Sequence, residues 1–300
     1  MRNGQIFLSA ILLTALISPG DASGADLWEN FSGQKAFSHV EHLVGLGPRP
    51  AGSEALERSR VYIINQLSSF GWAVSRQTFS TATPRGPVTF VNLIANFPSR
   101  DRAGHGSFLL CSHYDTKTFD TFRFVGANDG GSSTGLLIEM ARVLATAPEL
   151  ASRTELVFFD GEEAFENFTA TDGLYGSRHF ADQLRDSGQG KQFQGGMLFD
   201  MVGNKSLTVT LPPDSPRNLA ANLFVAAEAL KLREHFTYFD RDITDDHTPL
   251  NALGVPVIDL IDFDFLWWHT AEDTLDKISA DSLQIVGRVA IYQLSQLELK

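Results

Sequence analysis

The chain has a single cysteine, Cys111, in 300 residues. No intrachain disulfide can form and no cysteine-based zinc site can be assembled, so any metal has to be held by His, Asp and Glu. Set between "FLL" and "SHYD", Cys111 reads as a buried strand residue. Basic runs are also missing. The 24 Lys and Arg are outnumbered by 36 Asp and Glu, a net charge of -12, which argues against a nucleic-acid surface. Long apolar runs are absent apart from Ile6 to Ile17, "IFLSAILLTALI", and that stretch is short of the ~20 residues of a bilayer-spanning helix. It follows Arg2 and precedes Pro19, Gly20 and the small residues "ASGA", the pattern of a secretory signal. We therefore expect residues 1–24 to be a signal peptide and residues 25–300 a mature protein that is secreted or periplasmic, without stable membrane insertion. An uncleaved N-terminal anchor is the alternative. No repeat, low-complexity segment or linker divides the rest, so one domain is expected.

Within that domain, apolar strands alternate with helices. Helices are expected at Gln34 to Leu46, Ser53 to Phe70, Ser132 to Ala147, Tyr175 to Asp186, Arg217 to Leu232 and Ser279 to Leu299. Strands are expected at Val88 to Phe97, in "SFLLCSHYD", and at Thr154 to Asp160, Gly195 to Gly203 and Val255 to Ile261. The alternation predicts an α/β domain with a mostly parallel, twisted central sheet covered by helices on both faces.

In such sheets ligands bind beyond the carboxyl ends of the strands, and here each strand delivers candidate ligands to that edge. "FLLCS" leads to His113 and Asp115, "LVFFD" to Glu162 and Glu163, "GGMLF" to Asp200, and "VPVIDLI" through "DFDFLWW" to His269. The loop "FVGANDGGSS" brings Asp129 to the start of a helix. Singly, each residue has an ordinary explanation. Adjacent Glu162 and Glu163 could be a solvated loop, His113 a satisfied core histidine, and Asp129 a helix N-cap. Asp200 in an apolar strand is harder to dismiss, because a buried unpaired carboxylate is costly. Together, His113, Asp129, Glu163, Asp200 and His269 supply enough nitrogen and oxygen ligands for one or two zinc ions.

The blocks "SHYD", "FVGANDG", "FFDGEEAF", "LYGSRHFAD", "LFDMVG", "DDHTPL" and "WWHTAEDT" resemble, in order and spacing, the zinc-aminopeptidase superfamily. Within it they look most like the animal-type glutaminyl-peptide cyclotransferases (glutaminyl cyclases). Features that favour this branch are Lys117 in "HYDTK", "GEEAF", the "DDH" of Asp245 to His247, and Trp268 directly before His269. The resemblance covers the chain from about Phe37 onward. It implies one zinc held by Asp129, Glu163 and His269, with Glu162 as proton carrier and Asp200 and Asp245 in an acid network beside it. It places Trp268, Phe168 and His113 at the substrate. The implied substrates are peptides or proteins with an N-terminal glutamine, converted to pyroglutamate with release of ammonia.

Two features depart from the family pattern. Phe168 stands where a tryptophan often follows the paired glutamates, and one cysteine forbids the disulfide often found near the site. Ordinary core packing remains the plain alternative for Trp268 and Phe168. The same ligand inventory also suits a two-zinc aminopeptidase, with the second ion on His113 and Asp200, Asp129 bridging and Glu162 activating water. A non-catalytic binding module on the same fold is a third reading, although it would have no need of Glu162.

Overall fold

The computed structural model describes residues 24–98 and 107–297. The expected signal peptide therefore lies, but for Gly24, outside the described residues. The elements run α1 (Gly33–Gly45), α2 (Glu54–Ser69), β1 (Ala73–Thr83), β2 (Gly86–Asn96), β3 (Ser107–His113), α3 (Gly131–Leu144), α4 (Pro148–Ser152), β4 (Thr154–Phe159), α5 (Tyr175–Ser187), β5 (Phe193–Asp200), β6 (Val209–Leu211), α6 (Arg217–Ala229), β7 (Phe236–Tyr238), α7 (His247–Leu253), β8 (Val257–Ile261) and α8 (Ala280–Gln296). Serine hydroxyls start three of the helices. Ser32, Ser53 and Ser279 each accept from the backbone N–H three residues on, satisfying donors that the first turn leaves free. No described helix is long and apolar enough to cross a membrane.

The strands form one mixed sheet in the order β1-β2-β4-β3-β5-β8-β6-β7. Its centre, β4-β3-β5-β8, is parallel, as the buried apolar runs require. The flanks are where antiparallel pairing enters: β2 lies antiparallel to β1 and β4, and β6 to β8. Successive central-strand residues alternate between two cores. Phe108, Leu110, Leu156, Phe158, Met197 and Phe199 face one that also takes residues of α1, α3, α6 and α8. Leu109, Cys111, Val157, Phe159, Leu198 and Val257 face the other, against Phe180 and Leu184 of α5 and Leu250 of α7. Cys111 is thus a buried strand residue in the second core.

Register sets the site. His113 ends β3 opposite Phe159, the end of β4, and Asp200 ends β5 opposite Ile261, the end of β8. Four neighbouring parallel strands stop at one level, so the loops that follow them open onto the same edge. Five elements escape the sequence reading: β1, α4 (Pro148–Ser152), β6, β7 and α7. β1 is an edge strand whose residues are all exposed or half-buried, so it has no apolar run to betray it. β6 and β7 are three residues each, and α7 is seven.

Candidate active site

The turn after β4 separates the two glutamates. Gly161 takes φ +72°, a conformation closed to most side chains, and the following amides of Glu162 and Glu163 donate to the two oxygens of buried Asp115, at 3.2 and 3.3 Å. Glu163 then reaches inward. Its Oε1 accepts from the Lys117 amide at 3.1 Å and its Oε2 lies 3.3 Å from Nε2 of His269. A second carboxylate clamp holds the loop before α3. Asp273 accepts from the Asn128 and Asp129 amides at 2.7 and 3.1 Å, and Oδ2 of Asp129 lies 3.4 Å from the same His269 nitrogen. Gly130 completes this turn at φ +75°. A Cβ there would stand 2.6 Å from the Asp115 carbonyl oxygen and 2.9 Å from the His113 ring. His269 has left-handed backbone, φ +54°, which is uncommon outside glycine and gathers at functional sites. Phe119 and Phe124 pack edge-on against its ring.

Asp129, Glu163 and His269 thus bring three ligand atoms within 4.8 Å of one another. The donor set fits zinc on two counts. Oδ2 of Asp129 and Oε2 of Glu163 are buried without a hydrogen-bond partner. Their distances to the imidazole exceed the ~2.7–2.9 Å of a charge-assisted hydrogen bond and match the roughly 3.3 Å between two ligands at ~2.0–2.1 Å from one tetrahedral ion. The electrostatics agree. Although burial opposes charge on the ring, the two carboxylates push His269 up to about 10, so the triad attracts positive charge to this point. Burial alone would raise Asp129, but His113 and His269 outweigh it and hold the carboxyl well below its usual range.

A cavity of about 130 Å³ opens beside the triad. Glu162 and Asp245 face it with Asp200. Burial pushes the Glu162 carboxyl well above the usual range; the charges of Glu163, Asp245 and Asp246 act in the same direction, and His113 acts against them. Burial likewise raises Asp200, and raises Asp245 strongly with help from Asp200 and Asp246. Phe168 and Trp268 line the cavity with 37% and 40% of their surfaces exposed, which sets them apart from ordinary core aromatics. Trp268 stacks on His269 with ring centroids 4.2 Å apart. Lys117 donates through Nζ to the Ala164 carbonyl at 2.6 Å and sits over the Phe168 ring.

His113 is not where a substrate-contacting residue would be. It is buried, its Nε2 lies 3.1 Å from Oδ1 of Asp200 and 3.3 Å from Oδ1 of Asp129, and it does not line the cavity. As the last residue of β3 it sits beneath the carboxylates, and Met201, Ile243 and Phe263 take the wall instead. The sequence reading missed these three and the Asp273 clamp, and it named Asp115 as a candidate ligand rather than as a clamp on the glutamate amides. Asp273 stands inside the quoted "WWHTAEDT" block, but nothing in the string says which amides it grips.

Residues 92–294 match peptidase family M28. The chain belongs to peptidase family M28. Among its relatives, the glutaminyl-peptide cyclotransferase of Bos taurus is 31% identical over 85% of this chain and 80% of its own length. The crystal structure of an Acidobacteriales bacterium glutaminyl cyclase superposes with a TM-score of 0.80 at 33% identity, covering 95% of this chain and 98% of that one. A Zn-dependent exopeptidase from Parabacteroides distasonis superposes equally well, with a TM-score of 0.81 over 89% of this chain and 99% of that one. At 24% identity it speaks for the M28 fold alone.

Proposed function

We propose that this M28 chain is a zinc-dependent glutaminyl-peptide cyclotransferase, an acyltransferase that converts the N-terminal glutamine of peptides and proteins to pyroglutamate with release of ammonia. The observation that carries the reading is the pairing of one ligand triad, Asp129, Glu163 and His269, with a small cavity walled by Trp268, Phe168 and a buried carboxylate, Glu162. At about 130 Å³ the cavity is well short of the ~300–1,000 Å³ of a drug-sized pocket, and it suits one folded side chain rather than a length of peptide.

Zinc on the triad would polarise the γ-carbonyl of the substrate glutamine. The nucleophile, the substrate's own α-amine, is tethered to that carbonyl, so the walls mainly hold the side chain in an attacking conformation. Glu162 takes a proton from the α-amine as its nitrogen bonds to the γ-carbon. The same carboxyl returns the proton to the amide nitrogen as the bond to it breaks, and ammonia leaves. Asp200 and Asp245 keep a shared acid network beside Glu162, and Trp268 with Phe168 excludes water. With residues 1–24 as the expected signal peptide, the enzyme acts in a periplasm or outside the cell on peptide substrates.

Purified protein offered a Gln-peptide should release ammonia and leave the chain otherwise intact. The second reading, a two-metal aminopeptidase, rests on the convergence of His113, Asp129 and Asp200 within 4.8 Å. It predicts instead that a residue is cleaved from aminoacyl-anilides, and finding that in place of cyclisation would overturn the proposal.

A further inference from the structure

A deeper group of ligand atoms lies behind the cavity. Asp245, His247 and Asp259 offer one each, all within 4.8 Å of one another. All three side chains are buried, and so is neighbouring Asp246. Asp259 comes from the middle of β8, His247 from the first residue of α7, and Asp245 from the lip just before it. Only Asp245 also reaches the cavity.

The hydrogen bonding of this group does not close. Asp259 leaves both carboxylate oxygens without a partner, His247 both ring nitrogens, and Asp245 its Oδ2. Buried polar atoms are almost always paired, and a buried charge is costly without a counter-charge. No lysine or arginine forms an ion pair with these residues among the described residues. Beside His247 stands another acid, Asp214, whose Oδ1 is 3.9 Å from Nε2. The spacing is informative as well. Nδ1 of His247 and Oδ2 of Asp259 are 3.4 Å apart, longer than a charge-assisted hydrogen bond and close to the roughly 3.3 Å between two ligands of one tetrahedral ion. The imidazole–carboxylate spacings of the first triad are 3.4 and 3.3 Å.

We propose that Asp245, His247 and Asp259 form a second metal site, taking a divalent transition-metal ion that favours imidazole with carboxylate, such as zinc. It is separate from both the pocket triad and the His113 cluster. A calcium- or magnesium-type ion is disfavoured because it calls for oxygen ligands throughout. An ion here ties α7 to β8 and sets the position of Asp245 at the cavity wall. Because its ligands are sealed in the core, it exchanges more slowly than an ion on the pocket triad.

The test counts metal in the purified full chain after loading with zinc and removal of the excess. We expect two equivalents, one stripped quickly by a heterocyclic chelator and one retained. His247→Gln and Asp259→Asn should each lose the slowly exchanging equivalent and keep the labile one, whereas His113→Asn should keep both. A single equivalent in the saturated wild type overturns the proposal. So does a second equivalent that survives His247→Gln or disappears with His113→Asn. If the variants fail to fold, anomalous scattering at the zinc edge from wild-type crystals decides: a peak between His247 and Asp259 supports the site, and its absence means that protons alone neutralise the cluster. The count uses no Gln-peptide, so its outcome is independent of whether the chain cyclises glutamine.

Discussion

The two ends of the parallel strands differ in a way that size alone would misread. At the amino end lies the roomier cavity, about 460 Å³, bordered by Gln77, Arg153, Thr154 and Gln183. At the carboxyl end the cavity is about 130 Å³, yet it meets Asp129, Glu162, Glu163, Asp200, Asp245 and His269. Among the described residues, none of the convergent ligand clusters includes a residue bordering the larger space. Volume reports where packing is loose. Chemistry gathers where buried charges converge without partners, and in a parallel sheet the loops at one edge alone are free to carry them there.

Removing a ligand from the carboxyl end should have the largest effect. Glu163→Gln takes an anionic donor from the triad, so bound zinc and turnover should fall together, and excess zinc should restore part of both. Glu162→Gln should keep zinc and fold but lose about 10²–10⁴-fold in rate, the usual worth of a positioned general acid–base, with no rescue by zinc. Metal content and initial rates on one Gln-peptide separate the two; near-normal rates in both would overturn the roles given to the pair. The clamps come next. Asp273→Asn weakens the grip on the Asn128 and Asp129 amides without touching a ligand, and zinc affinity should drop about 10–100-fold, the range for groups that orient metal ligands. Competition with a chelator of known affinity measures it.

Acidity offers a further contrast. A base with a raised pKa is protonated, and idle, at pH values where an ordinary carboxylate still works. Burial raises Glu162, so the rate should be lost as pH falls through a limb lying above the usual carboxylate range, about tenfold per unit below it. The limb belongs to the coupled acids rather than to Glu162 alone. A limb at ordinary carboxylate pH would erase this distinction from a solvated carboxylate. The smallest effect belongs to the amino end. Gln183→Ala, at the border of the larger cavity, should change stability by no more than about 0.5 kcal/mol and leave rates and zinc content alone; a large loss of activity would mean that the larger space takes part.

Legibility from sequence followed burial. β3, β4, β5 and β8 announce themselves because both of their faces are covered, so "LLC", "LVFF", "MLF" and "VIDLI" are nearly unbroken apolar runs. β1, "AVSRQTFSTAT", lies on the edge with one neighbour and mixes polar with apolar residues, so its strand character comes from pairing with β2 along its whole length. Asp129, Glu163 and His269 could be picked out because each lies in a loop that follows a central strand or leads into the helix after it. His113 ends the strand before one of these loops and yet lies beneath the site, because ending a strand does not say which face a side chain takes.

The sequence by itself determined the α/β class, the strand-end loops that carry the acids and histidines, and the exclusion of disulfides and thiolate ligands. Only the tertiary structure decided how Glu162 and Glu163 divide. Asp115 grips both amides, Gly161 turns the chain, and one carboxylate goes to the His269 triad while the other faces the cavity. It also decided that Asp259, in the middle of an apolar strand, meets His247 from a short helix that no periodicity reveals. Such meetings depend on register and on which loops share an edge, and these are set when the strands pair rather than by any local run of residues.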